Sequence, residues 1–171
     1  MNEISYSVVP PSDVDVHELA SFYERQKHQT TRSLEKLREM LERSQCFVAA
    51  RDLSGQLIGI ARGITDGVRG YLAECKLDPS LQGPAAVTRV DGRIEHDEQG
   101  IARMMAVHVL SALSDAGVER VHVIAHGTEE DFLSELGFTR AAGMISMQVD
   151  TASLASIHTE TRSPVMAEAK Q

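Results

Sequence analysis

Three observations predict a mixed α/β chain: α+β elements on a mixed sheet, in the order strand, two helices, three-strand meander, helix, strand, helix, strand. Short β-rich runs are separated by the turn signals Leu53-Ser54-Gly55-Gln56 and Asp66-Gly67. Apolar residues recur at helical spacing in three stretches, the strongest running from Ile101 to Ala112. The length of 171 residues, with 42% hydrophobic residues, suits one domain with a sizeable core.

Ile4 to Val9 reads as the first strand, closed by Pro10-Pro11. Ser12 or Asp13 then caps a helix over Val14 to Gln26, with Val16, Leu19, Ala20 and Tyr23 on its apolar side. After the polar loop Lys27 to Arg32, Ser33 caps a second helix carrying Leu34, Leu37, Met40 and Leu41 on one face. Cys46 to Arg51, Leu57 to Ile64 and Tyr71 to Leu77 form the meander. Gly100 to Ala116 is the longest helix, stopped by Gly117. Val121 to Ala125 is a buried strand, Glu129 to Glu135 a short helix, and Phe138 to Val149 a last strand containing Gly143. Residues 1–150 thus form one domain, and 151–171 read as a polar tail with little to bury.

Composition narrows the function. A net charge of -8 argues against nucleic acid or an anionic membrane as the main partner, since both demand a basic face. No apolar run approaches the ~18 residues of a membrane span, and the opening MNEISYSVV lacks a secretory pattern, so a cytoplasmic, soluble protein is expected. Cys46 and Cys75 read as reduced, buried strand residues. His122 and His126 share a strand face but would stand about 13 Å apart, too far to hold one metal, so no metal site is expected.

The stretch between Leu77 and Met105 carries the main functional signal. Gln82-Gly83 and Gln99-Gly100-Ile101-Ala102 look like the two ends of one anion-binding loop that opens the long helix. A helix N-terminus offers unpaired N–H groups and partial positive charge, and glycine allows an anion to approach closely. The fifteen residues that separate the two ends, 84–98, read as an inserted hairpin turning at Asp91-Gly92. The insert ends in Asp97-Glu98, beside the place meant for the anion. Asp97 is either a helix cap turned outward or a carboxylate lying across the anion site. Like charges ~4 Å apart repel by about 1 kcal/mol in water and by several at lower effective dielectric.

These loop ends, the run Asp131-Phe132-Leu133-Ser134-Glu135-Leu136-Gly137-Phe138 and the hairpin Phe47 to Arg62 resemble the GNAT superfamily of N-acetyltransferases, over about residues 4 to 149. The resemblance implies an acyl-coenzyme A dependent N-acyltransferase using acetyl-CoA or another acyl-CoA, with transfer made directly to a small amine. In that family the pyrophosphate sits on the helix N-terminus and the pantetheine arm lies between splayed strands. Carried over, the cofactor residues are Leu77, Gln82, Gly83, Gln99, Gly100, Ile101, Ala102 and Arg103, and the acceptor residues Tyr23, His28, Arg32 and Tyr71. Leu133 stands where many members carry a tyrosine acid, which leaves Tyr71, Cys75 or His126 as substitutes. Glu74 is the candidate base, or else a strand glutamate opposite Lys76; His126 is a candidate acid or base, or else a polar structural residue. A divergent GNAT-fold protein that does not use acetyl-CoA conventionally, as a binding or regulatory module or with another reaction, is the alternative. The inserted arm is also a candidate surface for a homodimer.

Overall fold

A computed structural model of the chain describes residues 4–26, 33–82, 94–95 and 97–147. Five strands form one sheet in chain order: β1 (Ser5–Val9), β2 (Cys46–Arg51), β3 (Leu57–Thr65), β4 (Arg69–Leu77) and β5 (Arg120–Val123). The first four are antiparallel and β5 runs parallel to β4, as the meander and helical crossover require.

Helices cover both faces of the sheet. On one side α1 (Val16–Glu24) and α2 (Leu34–Glu42) bury Leu19, Phe22, Tyr23, Leu37 and Leu41 against Phe47, Ala49, Leu57 and Ile60. On the other α3 (Ile101–Asp115) buries Ile101, Ala102, Met105, Ala106, Val109 and Leu113 against Cys46, Val48, Ala61, Leu72, Cys75 and Leu77. Each large apolar side chain taken wholly out of water contributes about 1.5–3 kcal/mol. The short α4 (Glu130–Glu135) adds Leu133 to the α3 side.

Bulges decide which side chains face which helices. Consecutive residues Arg62 and Gly63 of β3 pair with Glu74 and Leu72 of β4, so Ala73 is an extra residue. Leu72 and Cys75 therefore share the α3 side, and simple alternation of Tyr71, Ala73 and Cys75 does not hold. Glu74 is delivered to the opposite side, beneath α1.

The remaining differences from the sequence expectation are local. Pro11–Asp13 forms a 3-10 turn, and Asp15 rather than Ser12 or Asp13 caps α1, its carboxylate accepting from His17 and Glu18 N–H. Ser33 caps α2 as expected, accepting from Lys36 N–H. β5 ends at Val123, so His122 and His126 do not share a strand face. No strand forms within 138–147: Gly143 adopts φ 78°, a left-handed conformation that interrupts an extended run. Residues 140–147 belong to a separate short unit, described by its own turn from Ala141 O to Met144 N. The expected polar tail, and Pro84 to Arg93 and His96 of the expected hairpin, lie outside the described residues.

Candidate active site

The site begins where β4 outruns its partner. Parallel pairing with β5 stops at Leu72↔Val123, whereas β4 continues to Leu77. Along that last stretch the backbone groups of β4 meet the end of the sequence insert instead. Ile94 bridges Cys75 in parallel, Glu95 N–H donates to Cys75 O at 2.8 Å, and Leu77 N–H donates to a Glu95 carboxylate oxygen at 2.7 Å. Ile94 is fully buried in the α3-side core, which anchors the segment. Of the expected hairpin, Ile94 and Glu95 thus lie against β4.

Two residues further on, Asp97 turns to α3. Its Oδ2 accepts from Gln99 N–H at 2.9 Å and Ile101 N–H at 3.2 Å, and its Oδ1 from Ala102 N–H at 3.0 Å. Gly100 makes this possible by taking φ 79°, the left-handed turn that lets the chain wrap back over the helix start. The two sequence readings of Asp97 therefore coincide: it caps the helix by placing its carboxylate on the anion-binding amides themselves. Its charge is felt locally, since burial first and Asp97 second push the Tyr6 hydroxyl pKa upward.

A polar cluster lies beneath this edge. Gln82 Nε2 reaches Leu77 O at 2.8 Å, Glu95 Oε2 at 3.0 Å and Gln26 Oε1 at 3.1 Å, while Gln26 Nε2 donates to Leu77 O. Lys76 Nζ stands 3.4 Å from Glu95 Oε1, both side chains being buried. Glu74 Oε1 accepts from Tyr23 Oη at 2.6 Å and from Arg62 Nε at 2.9 Å. Arg62 also donates to Ser44 Oγ, at 3.2 Å. Such pairing answers the cost of burying a carboxylate, so Glu74 is not a solvated strand glutamate.

The other sequence candidates fall in different places. Tyr71 is half-buried on β4, its ring tilted against His122 of β5 at 5.5 Å. His122 Nε2 is buried without a hydrogen-bond partner among the described residues. His126 is exposed and precedes the turn into α4, its N–H donating to Glu129 at 2.8 Å. Arg103 is exposed in the first turn of α3, and Leu133 is buried, with no proton to give. Gly83, His28 and Arg32 lie outside the described residues. Cys75 packs under Ala102 O at 3.7 Å, and burial, reinforced by Glu95, Asp97 and Glu74, pushes its thiol pKa far up. A thiol so disposed is neither a nucleophile nor a ready acid.

Sequence reasoning missed Arg62, Glu95, Lys76 and Gln26. A lone charge inside an apolar run, as in Ile58-Gly59-Ile60-Ala61-Arg62, and the alternating charges of Ala73-Glu74-Cys75-Lys76 were the available signals. Among the described residues no three His, Cys, Asp or Glu side chains cluster to hold a metal, and no helix is long and apolar enough to cross a membrane.

No family model matches the sequence, and no curated protein does. Solved structures do share the architecture. A GNAT-family acetyltransferase from Streptococcus pneumoniae matches with a TM-score of 0.58 at 18% identity, over 88% of this chain and 100% of its own. A ribosomal-protein-alanine N-acetyltransferase from Brucella melitensis gives 0.57 at 14% identity, covering 86% and 99%. An aminoglycoside N-acetyltransferase in complex with CoA gives 0.61 at 13% identity, covering 87% and 96%. The likeness lies in the fold, a five-stranded mixed sheet with helices on both faces: the chain has the GNAT N-acetyltransferase fold.

Proposed function

We propose that this chain is an acyl-coenzyme A dependent N-acyltransferase that acts on a small amine, with acetyl-CoA as the first donor to test. The observation that carries the reading is the convergence of two features on one place. The edge of β4 at Cys75 and Leu77, beyond the reach of β5, offers amide-binding groups that Glu95 now engages, and the N–H groups of Ile101 and Ala102 already hold an anion, the Asp97 carboxylate. An amide arm ending in a pyrophosphate matches that pair of features in chemistry. Leu77, Gln82, Gly83 and Gln99 to Arg103 are the residues proposed to hold it, once Glu95 and Asp97 yield.

Coenzyme A supplies the acyl group as a thioester. The acceptor nitrogen forms a bond to the acyl carbon as the carbon–sulfur bond breaks, so the nitrogen must lose a proton and the sulfur must gain one. Tyr23 and Glu74 are the proposed route for the first: Tyr23 Oη takes the amine proton as its own passes to Glu74, across a hydrogen bond of 2.6 Å. His126, exposed ahead of α4, is proposed to supply the second. His28, Arg32 and Tyr71 are proposed to face the acceptor.

Calorimetry with acetyl-CoA, followed by thiol-release assays against a panel of primary amines, tests the reading. Glu74→Gln is expected to lower kcat about a hundredfold while leaving the KM for the donor little changed. Absence of acetyl-CoA binding even at millimolar concentration would instead favour the second reading. In that reading Glu95 and Asp97 keep the cleft filled and the chain is a GNAT-fold binding or regulatory module, or an enzyme of another reaction.

A further inference from the structure

We infer that Ile94, Glu95 and Asp97 are an internal stand-in for the acyl donor, holding the cleft closed until the donor displaces them. The inference rests on the acyltransferase reading and deepens it by assigning a regulation to the same site.

Three features of the segment support this. Glu95 satisfies the two groups of the β4 edge that an amide arm would use: its backbone N–H gives to Cys75 O, and its side-chain carboxylate takes the Leu77 N–H. Two residues later the Asp97 carboxylate takes the Ile101 and Ala102 N–H groups, as a pyrophosphate oxygen would. The two substitutions come from residues two apart in sequence, Glu95 and Asp97, in the order amide then anion in which the donor itself is built. Glu95 is also tied by Gln82 and Lys76, so leaving β4 breaks polar bonds with both.

A tethered competitor of this kind lowers apparent affinity in proportion to the fraction of time the cleft is open. If the segment is seated about nine-tenths of the time, the donor binds about tenfold more weakly than to an open cleft. Whatever draws the segment away raises donor affinity by the same factor.

The test is calorimetry with acetyl-CoA on the full chain, comparing wild type with Asp97→Ala and with Asp97→Ala/Glu95→Ala. Tighter binding by tenfold or more in folded variants is the expected result. Equal or weaker binding by the variants, with measurable binding by wild type, overturns the stand-in while leaving the acyltransferase reading in place. No binding by any of the three removes the acyltransferase reading and the stand-in together. Should the variants not fold, hydrogen exchange on wild type decides: excess acetyl-CoA must speed exchange at the Glu95 amide by releasing it from Cys75 O. Unchanged protection there, with the donor bound, overturns the inference.

Discussion

At the scale of single residues, the Glu74 cluster shows how one carboxylate is kept buried in an apolar sheet. Tyr23 and Arg62 both donate to Oε1, from a helix and from the neighbouring strand. Removing the guanidinium takes the charged partner from a buried carboxylate, so Arg62→Ala is expected to cost about 3 kcal/mol or more in urea unfolding. Tyr23→Phe removes one neutral donor and is expected to cost about 1–3 kcal/mol. Equal small losses for both would show that water reaches the cluster and that the ion pair is not what holds it. The sequence offered Glu74 as a candidate base, or else a strand glutamate, and its burial is seen only in the fold. Its partner Arg62 was not legible, because a cross-strand pair depends on register and the bulge at Ala73 shifts that register by one.

At the scale of elements, the helices and the meander were legible because periodicity and turn chemistry agree there. The strand predicted over Phe138 to Val149 was not, since β propensity reports fitness for a half-buried sheet surface rather than an intrinsic preference. Where α3 crosses β3, two glycines leave no room for a side chain. A Cβ at Gly63 would lie 2.8 Å from Cys46 Sγ and 3.0 Å from Val109 Cγ1; one at Gly59 would lie 2.9 Å from the end of Met105. Gly63 meets packed, branched neighbours and Gly59 meets a flexible one. Gly63→Ala is therefore expected to destabilise by about 1–3 kcal/mol, and Gly59→Ala by less, because Met105 has rotamers to move into. A melting series that reversed this order would sink the packing argument. Asp97 belongs at this scale too: the motif ends were visible in the sequence, but only the backbone turn at Gly100 reveals that the insert's own carboxylate sits on the helix amides.

For the molecule as a whole, sandwiching the sheet between two helical layers places both thiols in the core, and this couples stability to alkaline pH. Burial raises the Cys75 pKa, with Glu95 and Asp97 adding to it, and burial likewise raises that of Cys46 against the smaller opposing effects of Gly63 N–H and Arg62. A raised folded-state pKa means that the unfolded chain releases the proton first. The stabilising contribution is therefore complete below the unfolded thiol value of about 8.5 and declines as pH rises above it. Each thiol that ionises only on unfolding contributes a slope of up to about 1.4 kcal/mol per pH unit. Urea unfolding in reductant at increasing pH, wild type against Cys46→Ala/Cys75→Ala, should show curves that diverge above about pH 8.5. Wild type is expected to lose at least 1 kcal/mol more than the double variant over the next unit, at about the same slope. Parallel curves would mean that the thiols titrate alike in both states, and rapid labelling of native Cys75 by a thiol reagent at neutral pH would say the same. Either result would reopen the covalent cysteine chemistry that the buried position of Cys75 otherwise excludes.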